Sequence, residues 1–205
     1  MDKLNSYEKE ILKDVQREKY TAQVDEAGAG CFAGNLVVSA VILNPENPIK
    51  GLNDSKKLSH EKRILLFNEI KEKAIDYSII IVSPKEIDKN NILKCRLNGM
   101  KKALEELKKV NLALIDGNKK PDNLKVKTYT IIKGDAKFEG IAAASILSKV
   151  TRDLQIIEDS LKYPEYGFEN NKGYGTKQHK EALKVYGPCN IHRFSYKPVK
   201  ESIKN

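Results

Sequence analysis

Cysteine is scarce in this sequence, and the few cysteines present are not arranged for cross-linking or for binding a metal. The 205 residues include only Cys31, Cys95 and Cys189, which are odd in number, far apart and without any CxxC spacing. Disulfide frameworks and structural zinc sites both need several suitably spaced cysteines. The sequence therefore argues against both classes, and it fits a protein of a reducing cytoplasm.

Long hydrophobic segments are also missing. The longest apolar stretches, such as IAAASIL, are much shorter than the ~20 residues that a helix needs to span a bilayer. The first twenty residues, MDKLNSYEKEILKDVQREKY, are balanced in charge and contain no apolar segment of the kind found in export signals. We expect no membrane anchor, no export signal and a cytoplasmic location. Internal repeats and low-complexity segments are not apparent in the sequence either.

Negative charge is in the minority. Thirty-seven Lys and Arg oppose 28 Asp and Glu, which gives a formal charge of +9. A positive field attracts polyanions, so nucleic acid is the natural class of partner, although a Lys-rich surface can also serve solubility alone. More than half of the excess lies from residue 162 onward. This segment contains the basic residues Lys162, Lys172, Lys177, Lys180, Lys184, Arg193, Lys197, Lys200 and Lys204 and the acids Glu165, Glu169, Glu181 and Glu201.

The length and the order of the elements predict one α/β domain with a mixed sheet and a C-terminal extension. Apolar spacing predicts helices over 4–18, 60–75, 84–109 and 177–186 and a long helix that follows Asp135 and ends at Tyr163-Pro164. Alternating or apolar segments predict strands over 19–26, 35–43, 77–82, 112–115 and 126–133, the first two forming a tight pair. We divide the chain into a lead-in helix over 1–18, a main domain over 19–161 and a basic helical segment over 162–205.

Acidic residues stand at the ends of three predicted strands. Asp25 and Glu26 follow TAQV, Asp116 follows LALI, and Asp135 follows TIIKG. Buried carboxylates need a compensating cation, and oxygen ligands from three segments suit Mg²⁺ or Mn²⁺. Each residue also has a simpler interpretation. Asp116 can be an Asp-Gly turn residue, Asp135 a helix N-cap, and the Asp25-Glu26 pair part of a solvated loop.

Eight sequence blocks in order resemble ribonuclease HII. The blocks are DEAGAGCFAGNLVVSAVIL, GLNDSKKLS, NILKCRLNGMKKAL, LIDGN, GDAKFEGIAAASILSKVTRD, YPEYGF, NKGYGT and HRFSY, and they cover about residues 22–196. The resemblance implies a ribonuclease H-like fold, with a mixed five-stranded sheet flanked by helices and a small helical C-terminal segment. It makes the main domain over 19–161 the catalytic one.

The resemblance also implies an activity. Asp25, Glu26, Asp116 and Asp135 match the four acids with which this family binds two Mg²⁺ or Mn²⁺ ions and hydrolyses a phosphodiester. The expected protein is a monomeric endonuclease that cuts the RNA strand of RNA/DNA hybrids. It also cuts 5′ of ribonucleotides embedded in duplex DNA, leaving 3′-hydroxyl and 5′-phosphate ends. Such an enzyme serves ribonucleotide excision in DNA replication and repair.

Residues for contact with the substrate follow from the same blocks. The resemblance assigns to Gly28, Ala29 and Gly30 the sensing of the ribose 2′-OH, and to Tyr174 the stacking on the next deoxyribose. It suggests phosphate contacts for Lys57 and Lys172 and, less directly, for Lys56, His179, His192 and Arg193, the last two having a structural interpretation as well.

Position 29 departs from the family pattern. The family usually has Gly-Arg-Gly where this chain has Gly28-Ala29-Gly30, so a phosphate-binding arginine is missing. We expect the chemistry to survive with weaker binding or altered junction specificity. A nucleic-acid-binding protein without efficient catalysis is the competing hypothesis. A phosphatase of small metabolites is disfavoured because it leaves the basic C-terminal segment unexplained.

Overall fold

A computed structural model describes residues 3–203 of the chain and shows a mixed sheet of five strands. The strands are β1 (Thr21–Ala27), β2 (Leu36–Ile42), β3 (Asp76–Val82), β4 (Leu112–Asp116) and β5 (Lys127–Ile131). Two antiparallel pairings and two parallel pairings give the order β3-β2-β1-β4-β5. This arrangement confirms the predicted five-stranded mixed sheet.

The sheet topology determines where the acids meet. Strands β1, β4 and β5 are parallel to one another, so their carboxyl ends lie at the same edge of the sheet. Val24 pairs with Ile115 in the register of β1 and β4, which places Asp25 level with Asp116 one residue later. Asp116 in turn pairs with Ile131 of β5, a few residues before Asp135.

Helices cover both faces of the sheet. They are α1 (Ser6–Arg17), α2 (His60–Lys73), α3 (Pro84–Asn90), α4 (Ile92–Glu106), α5 (Glu139–Lys162), α6 (Phe168–Asn171), α7 (Lys177–Tyr186) and α8 (Lys197–Ser202). Small residues at Ala142, Ala143 and Ala144 let α5 lie against β1 and β2 on one face of the sheet, where α2 also packs. Helix α4 covers the opposite face. In the part of the chain that is described, none of these helices has the length and apolar character of a membrane-spanning segment.

The single helix predicted over 84–109 is wrong. Asn91 has a positive φ of 63° and separates α3 from α4, and its side chain caps α4 by accepting a hydrogen bond from the Lys94 backbone N–H. With ψ at 158° the backbone of Asn91 lies far from helical values in a strained region, so the helix cannot continue through it. The apolar spacing of the helices predicted over 60–75 and 84–109 also places Leu65 and Leu93 inward. Both are exposed instead, and Leu66 is buried in place of Leu65.

The C-terminal helices α6 to α8 pack onto the loop between β1 and β2. Ala33 forms an isolated bridge with His192, and the Phe32 backbone N–H donates to the Gly173 carbonyl at 2.8 Å. Arg193 is fully buried, and its guanidinium donates to the carbonyls of Ala29 and Gly34. The structural interpretation of His192 and Arg193 is therefore the correct one.

Two buried histidines, His179 and His192, form a directed hydrogen-bond chain. The Cys189 backbone N–H donates to His192 Nδ1, so His192 carries its proton on Nε2, 2.9 Å from His179 Nε2. His179 accepts there and donates from Nδ1 to the Tyr174 carbonyl at 2.9 Å. A second proton on either ring would place two N–H groups opposite each other where one nitrogen now accepts. These hydrogen bonds therefore require both rings to be neutral.

The hydrogen bonds of His179 and His192 predict that the folded protein loses stability in acid. Burial lowers the pKa of His192 from 6.5 to about 4, so unfolded chains bind more protons between these values. The contribution to stability is complete well above pH 6.5 and is lost as the pH falls through 6.5 towards 4. At about 1.4 kcal/mol per pKa unit it amounts to roughly 3 kcal/mol.

Urea unfolding at several pH values, compared between the wild type and His192→Gln, isolates this contribution. The difference between the two free energies of unfolding cancels the effect of the buried acids, which both proteins share. That effect is opposite in sign, because raised pKa values of acids favour the fold as the pH falls. We expect the stability difference between the two proteins to shrink steadily from pH 7 to pH 5. A difference that is constant over this range would show that His192 does not titrate on unfolding.

Candidate active site

Four acids from three strand ends meet at one edge of the sheet. Asp25 is buried and Glu26 follows it in β1, Asp116 ends β4, and Asp135 lies in the 3-10 turn Gly134–Ala136 after β5. The Gly134 backbone N–H donates to Asp116 Oδ1 at 2.7 Å, which ties the end of β4 to the turn that carries Asp135. The structure thus brings all four predicted acids together.

Electrostatics shows how closely these acids interact. Burial raises the pKa of Asp25 well above its usual range, and the negative charges of Glu26 and Asp116 raise it further. Burial also raises the pKa of Asp135, with added repulsion from Asp54 and Asp116. Mutual repulsion of this kind is relieved by a bound cation.

The simpler interpretations of these acids fit less well. Asp135 is not the N-cap of α5, because Phe138 occupies that position. Asp25 and Glu26 lie inside a strand, so the solvated-loop alternative is wrong for them. Asp116 does precede a glycine with a positive φ, Gly117 at +96°, and the chain bends directly after β4.

The donor set suits a hard divalent metal. All four side chains offer carboxylate oxygens, the ligands that Mg²⁺ and Mn²⁺ prefer. Glu26 Oε2 is buried and accepts no hydrogen bond from the residues described, so it retains free lone pairs. Among residues 3–203, no three His, Cys, Asp or Glu side chains already surround one point as metal ligands would. The acids therefore suit a metal by their chemistry, and their side chains would have to move before three of them could bind one ion.

Arg96 is a site residue that the sequence reasoning missed. It extends from α4 so that its Nε lies 2.8 Å from Glu26 Oε1, and its Nη2 donates to the Asp116 backbone carbonyl at 3.2 Å. Its charge opposes the rise in the pKa of Glu26 that burial causes. No local signal distinguishes this arginine from the solvated basic residues of the same helix.

A serine pair braces Asp25 and brings a basic turn to the site. Ser145 of α5 hydrogen-bonds Asp25, and its Oγ lies 3.0 Å from Ser55 Oγ. Ser55 begins the 3-10 turn Ser55–Lys57, in which Lys56 and Lys57 are both exposed. The charge of Lys56 acts on both Glu26 and Asp135. Lys56 therefore lies near the acids, and Lys57 follows it in the same exposed turn.

The glycine loop has one closed and one open position. Gly28 has a φ of +95°, and a Cβ there would lie 2.5 Å from Arg152 Nε and 2.8 Å from the Asn35 carbonyl oxygen. Gly30 is exposed, and among the residues described no heavy atom comes within 4 Å of a Cβ built on it. The fold itself requires glycine at position 28, whereas at position 30 it leaves open space.

Backbone contacts hold the loop at Ala29. Its carbonyl oxygen accepts from the Tyr196 hydroxyl at 2.7 Å and from Arg193 Nη1 at 3.1 Å. These bonds do not involve the side chain at position 29. The loop is therefore fixed independently of the departure from the family pattern.

Helix α5 connects the acids to Tyr174. Arg152 lies two turns beyond Ser145, is buried, and packs its guanidinium 5.4 Å from the centre of the Tyr174 ring. Lys149 lies 5.7 Å from the same ring and pairs with Asp153. The Tyr174 side chain remains 42% exposed, so a ring face is available to a ligand. Lys149 and Arg152 were not among the predicted site residues.

The remaining predicted contacts are divided by burial. His179, His192 and Arg193 are fully buried, which excludes direct phosphate contact in this structure. The Lys172 ammonium group donates to the Glu169 carbonyl, and the Lys172 carbonyl accepts from Arg152. Lys172 therefore lies two residues before Tyr174, and its ammonium group is bound to a backbone carbonyl.

The family model described as "Ribonuclease HII" matches residues 22–199, which is most of the chain. This chain belongs to the ribonuclease HII family. It is accordingly an endoribonuclease of the ribonuclease H type. The ribonuclease HII of Shewanella piezotolerans is 50% identical over 183 residues, covering 89% of this chain and 90% of that protein.

Solved structures support the same assignment. The ribonuclease H2 of Pyrococcus horikoshii superposes with a TM-score of 0.76 at 29% identity, covering 90% of this chain and 97% of that one. Bst-RNase HIII in complex with Mn²⁺ superposes with a TM-score of 0.67 at 15% identity, covering 93% and 72% respectively, and this likeness concerns the fold alone. The predicted ribonuclease H-like fold is confirmed.

Proposed function

We propose that this chain hydrolyses the RNA strand of RNA/DNA hybrids and cuts 5′ of ribonucleotides embedded in duplex DNA. The products would carry 3′-hydroxyl and 5′-phosphate ends. The observation that carries the proposal is the meeting of Asp25, Glu26, Asp116 and Asp135 beside an open glycine position and an exposed tyrosine ring. The competing hypothesis of a binding protein without catalysis leaves the four clustered acids unexplained.

The four acids are the proposed ligands of two Mg²⁺ or Mn²⁺ ions. When bound, such ions supply an activated water and stabilise the charge on the departing 3′ oxygen. Ser145 orients Asp25 through its hydrogen bond, and the Gly134 backbone N–H fixes one oxygen of Asp116. These hydrogen bonds restrain the Asp25 and Asp116 carboxylates, and the remaining oxygens of both are the ones that would bind the metals.

The glycine loop is the proposed sensor of the ribose 2′-OH. Gly28 and Gly30 flank a backbone that Arg193 and Tyr196 hold at the Ala29 carbonyl. The free space at Gly30 lets a sugar approach the main chain closely, and a hydroxyl that both donates and accepts hydrogen bonds is what distinguishes RNA from DNA. Recognition by backbone groups does not depend on the side chain at position 29.

Tyr174, Lys57 and Lys172 are the proposed contacts outside the scissile bond. The exposed Tyr174 ring would stack on the sugar that follows the ribonucleotide, supported from below by Arg152 and Lys149. Lys57 is exposed in the turn that also carries Lys56, the lysine whose charge acts on Glu26 and Asp135. Lys172 would need to release the Glu169 carbonyl before it could reach a phosphate.

The division of the chain into 1–18, 19–161 and 162–205 is kept as a proposal, as is a monomeric state. The C-terminal segment is packed into the loop that contains Ala29 and Gly34, through Arg193 above all. Deleting the segment would therefore disturb the proposed sugar sensor. Single charge-removing substitutions on α7 and α8 are the better test of its role in binding.

A cleavage assay with three matched duplexes tests the proposed function. The duplexes contain zero, one or many ribonucleotides and are incubated with Mg²⁺, Mn²⁺ or EDTA. We expect cleavage of the second and third duplexes with either metal, and none with EDTA or on the all-DNA duplex. A protein that shifts the duplexes in a gel but cuts none of them would support the binding hypothesis.

A pair of glycine variants tests the open position. Gly30→Ala should leave the free energy of unfolding within about 0.5 kcal/mol of the wild type, because nothing described lies near the added methyl. It should lower kcat/KM on a duplex with one ribonucleotide by about tenfold or more. Gly28→Ala should destabilise the fold by about 1–3 kcal/mol, because it combines strain with a clash. Full activity of a folded Gly30→Ala protein would mean that no substrate group approaches this loop closely.

A further inference from the structure

Arg96 introduces a positive charge into the acidic edge from the side of α4. Its side chain is 20% exposed and that of Glu26 is 12% exposed, so the 2.8 Å contact between Nε and Oε1 is largely shielded from water. The second contact, from Nη2 to the Asp116 carbonyl, reaches the neighbouring strand end. One guanidinium therefore touches two of the three segments that supply the acids.

The fold leaves room for this guanidinium. Gly117 follows Asp116 with a φ of +96°, and a Cβ on it would lie 2.8 Å from Arg96 Nη2. Any other residue would be strained at this φ and would also push the guanidinium away. Gly117 therefore permits the backbone turn and also leaves space for the Arg96 guanidinium.

The contact between Arg96 and Glu26 is close but incomplete as a hydrogen bond. Arg96 Nε is buried, yet its N–H is poorly directed toward Oε1 and has no other partner among the residues described. Glu26 Oε2 is buried and likewise unpartnered within this part of the chain. A bidentate arginine-carboxylate pair would satisfy both oxygens, so the observed contact is held mainly by charge.

We propose that Arg96 is the counter-cation of the acidic edge in the metal-free protein and that its guanidinium leaves Glu26 when a divalent metal binds. The inference rests on the proposed function, since it takes Glu26 as a metal ligand. Arg96 and the metal then compete for the same carboxylate, and Arg96 lowers the affinity for metal. In exchange it keeps the repelling acids together while the site is empty of metal.

Calorimetric titration of the full-length protein with Mn²⁺ alone tests this competition. Arg96→Met removes the charge and keeps much of the volume, and we expect it to bind Mn²⁺ about tenfold more tightly than the wild type. Arg96→Lys keeps the charge and should remain closer to the wild type. Lys94→Met, an exposed position on the same helix, makes the same change in net charge and should leave the dissociation constant unchanged.

The outcomes separate this inference from the proposed metal site. Equal or weaker Mn²⁺ binding by a folded Arg96→Met protein overturns the inference, while a wild type that binds no Mn²⁺ overturns the metal site and the inference with it.

Crystal structures of the wild type grown with EDTA and with Mn²⁺ give a test without any substitution. The Arg96–Glu26 contact should be present with EDTA and broken with Mn²⁺, and its persistence beside a bound ion would contradict the inference.

Discussion

Asp25→Asn and, separately, Asp135→Asn should lower the rate of cleavage about a thousandfold or more. A metal ligand contributes to charge stabilisation that is worth several kcal/mol in the transition state, and each ~1.4 kcal/mol is tenfold in rate. Steady-state cleavage of a duplex with one ribonucleotide in Mg²⁺ measures the effect. Binding of the same duplex in EDTA should be largely retained, because neither variant removes a positive charge.

The same Asp25 variant should not weaken the fold. The pKa of buried Asp25 is raised, chiefly by burial, so its ionised form opposes folding at neutral pH. Asparagine keeps an oxygen that can accept from the Glu26 backbone N–H, which donates to Asp25 Oδ1 at 2.7 Å. We expect an equal or higher midpoint of thermal unfolding in EDTA. Near-normal turnover of either variant would contradict the assignment of these acids as metal ligands.

Ala29→Arg should raise kcat/KM on a duplex with one ribonucleotide about tenfold or more. The loop is already held through the Ala29 carbonyl, so the new side chain adds a phosphate contact without having to build the loop. Charge-assisted hydrogen bonds contribute roughly 1.5–3 kcal/mol. Kinetics of the wild type and Ala29→Arg at low substrate concentration measure the gain.

Ala29→Gln is the matched control for this gain. Glutamine offers a long polar side chain without the positive charge, so it should fall well short of arginine. An all-DNA duplex should remain uncut by every variant, because the sugar sensor is unchanged. A folded Ala29→Arg protein that is no faster than the wild type would show that another group already performs the role of the missing arginine.

The strand ends and their acids could be predicted from the sequence. Apolar segments end at Asp25, Asp116 and Asp135, and parallel strands bring their carboxyl ends to one edge, so the grouping follows from local patterns and topology. The long helix after Asp135 could also be predicted, and α5 ends at Lys162, directly before Tyr163-Pro164. These features are local, and the sequence carries them directly.

The residues that were missed depend on long-range packing. Arg96 stands between Cys95 and Leu97 in a helix rich in basic residues, and only its contacts with Glu26 and the Asp116 carbonyl show that it points to the acids. Arg193 was named, but the choice between phosphate contact and a structural role also depended on packing, since its partner Gly34 lies 159 positions away in the chain. The break at Asn91 was missed because apolar spacing continues on both sides of it.

Mapping of the cut in a duplex with a single embedded ribonucleotide tests the central claim most directly. The duplex is labelled at either end and incubated with Mg²⁺ or Mn²⁺, and the products are sized and tested for terminal phosphate. The account predicts one cut 5′ of the ribonucleotide, with a 3′-hydroxyl on one product and a 5′-phosphate on the other, which Asp25→Asn abolishes. Cleavage that ignores the position of the ribonucleotide, or that survives in EDTA, would contradict it.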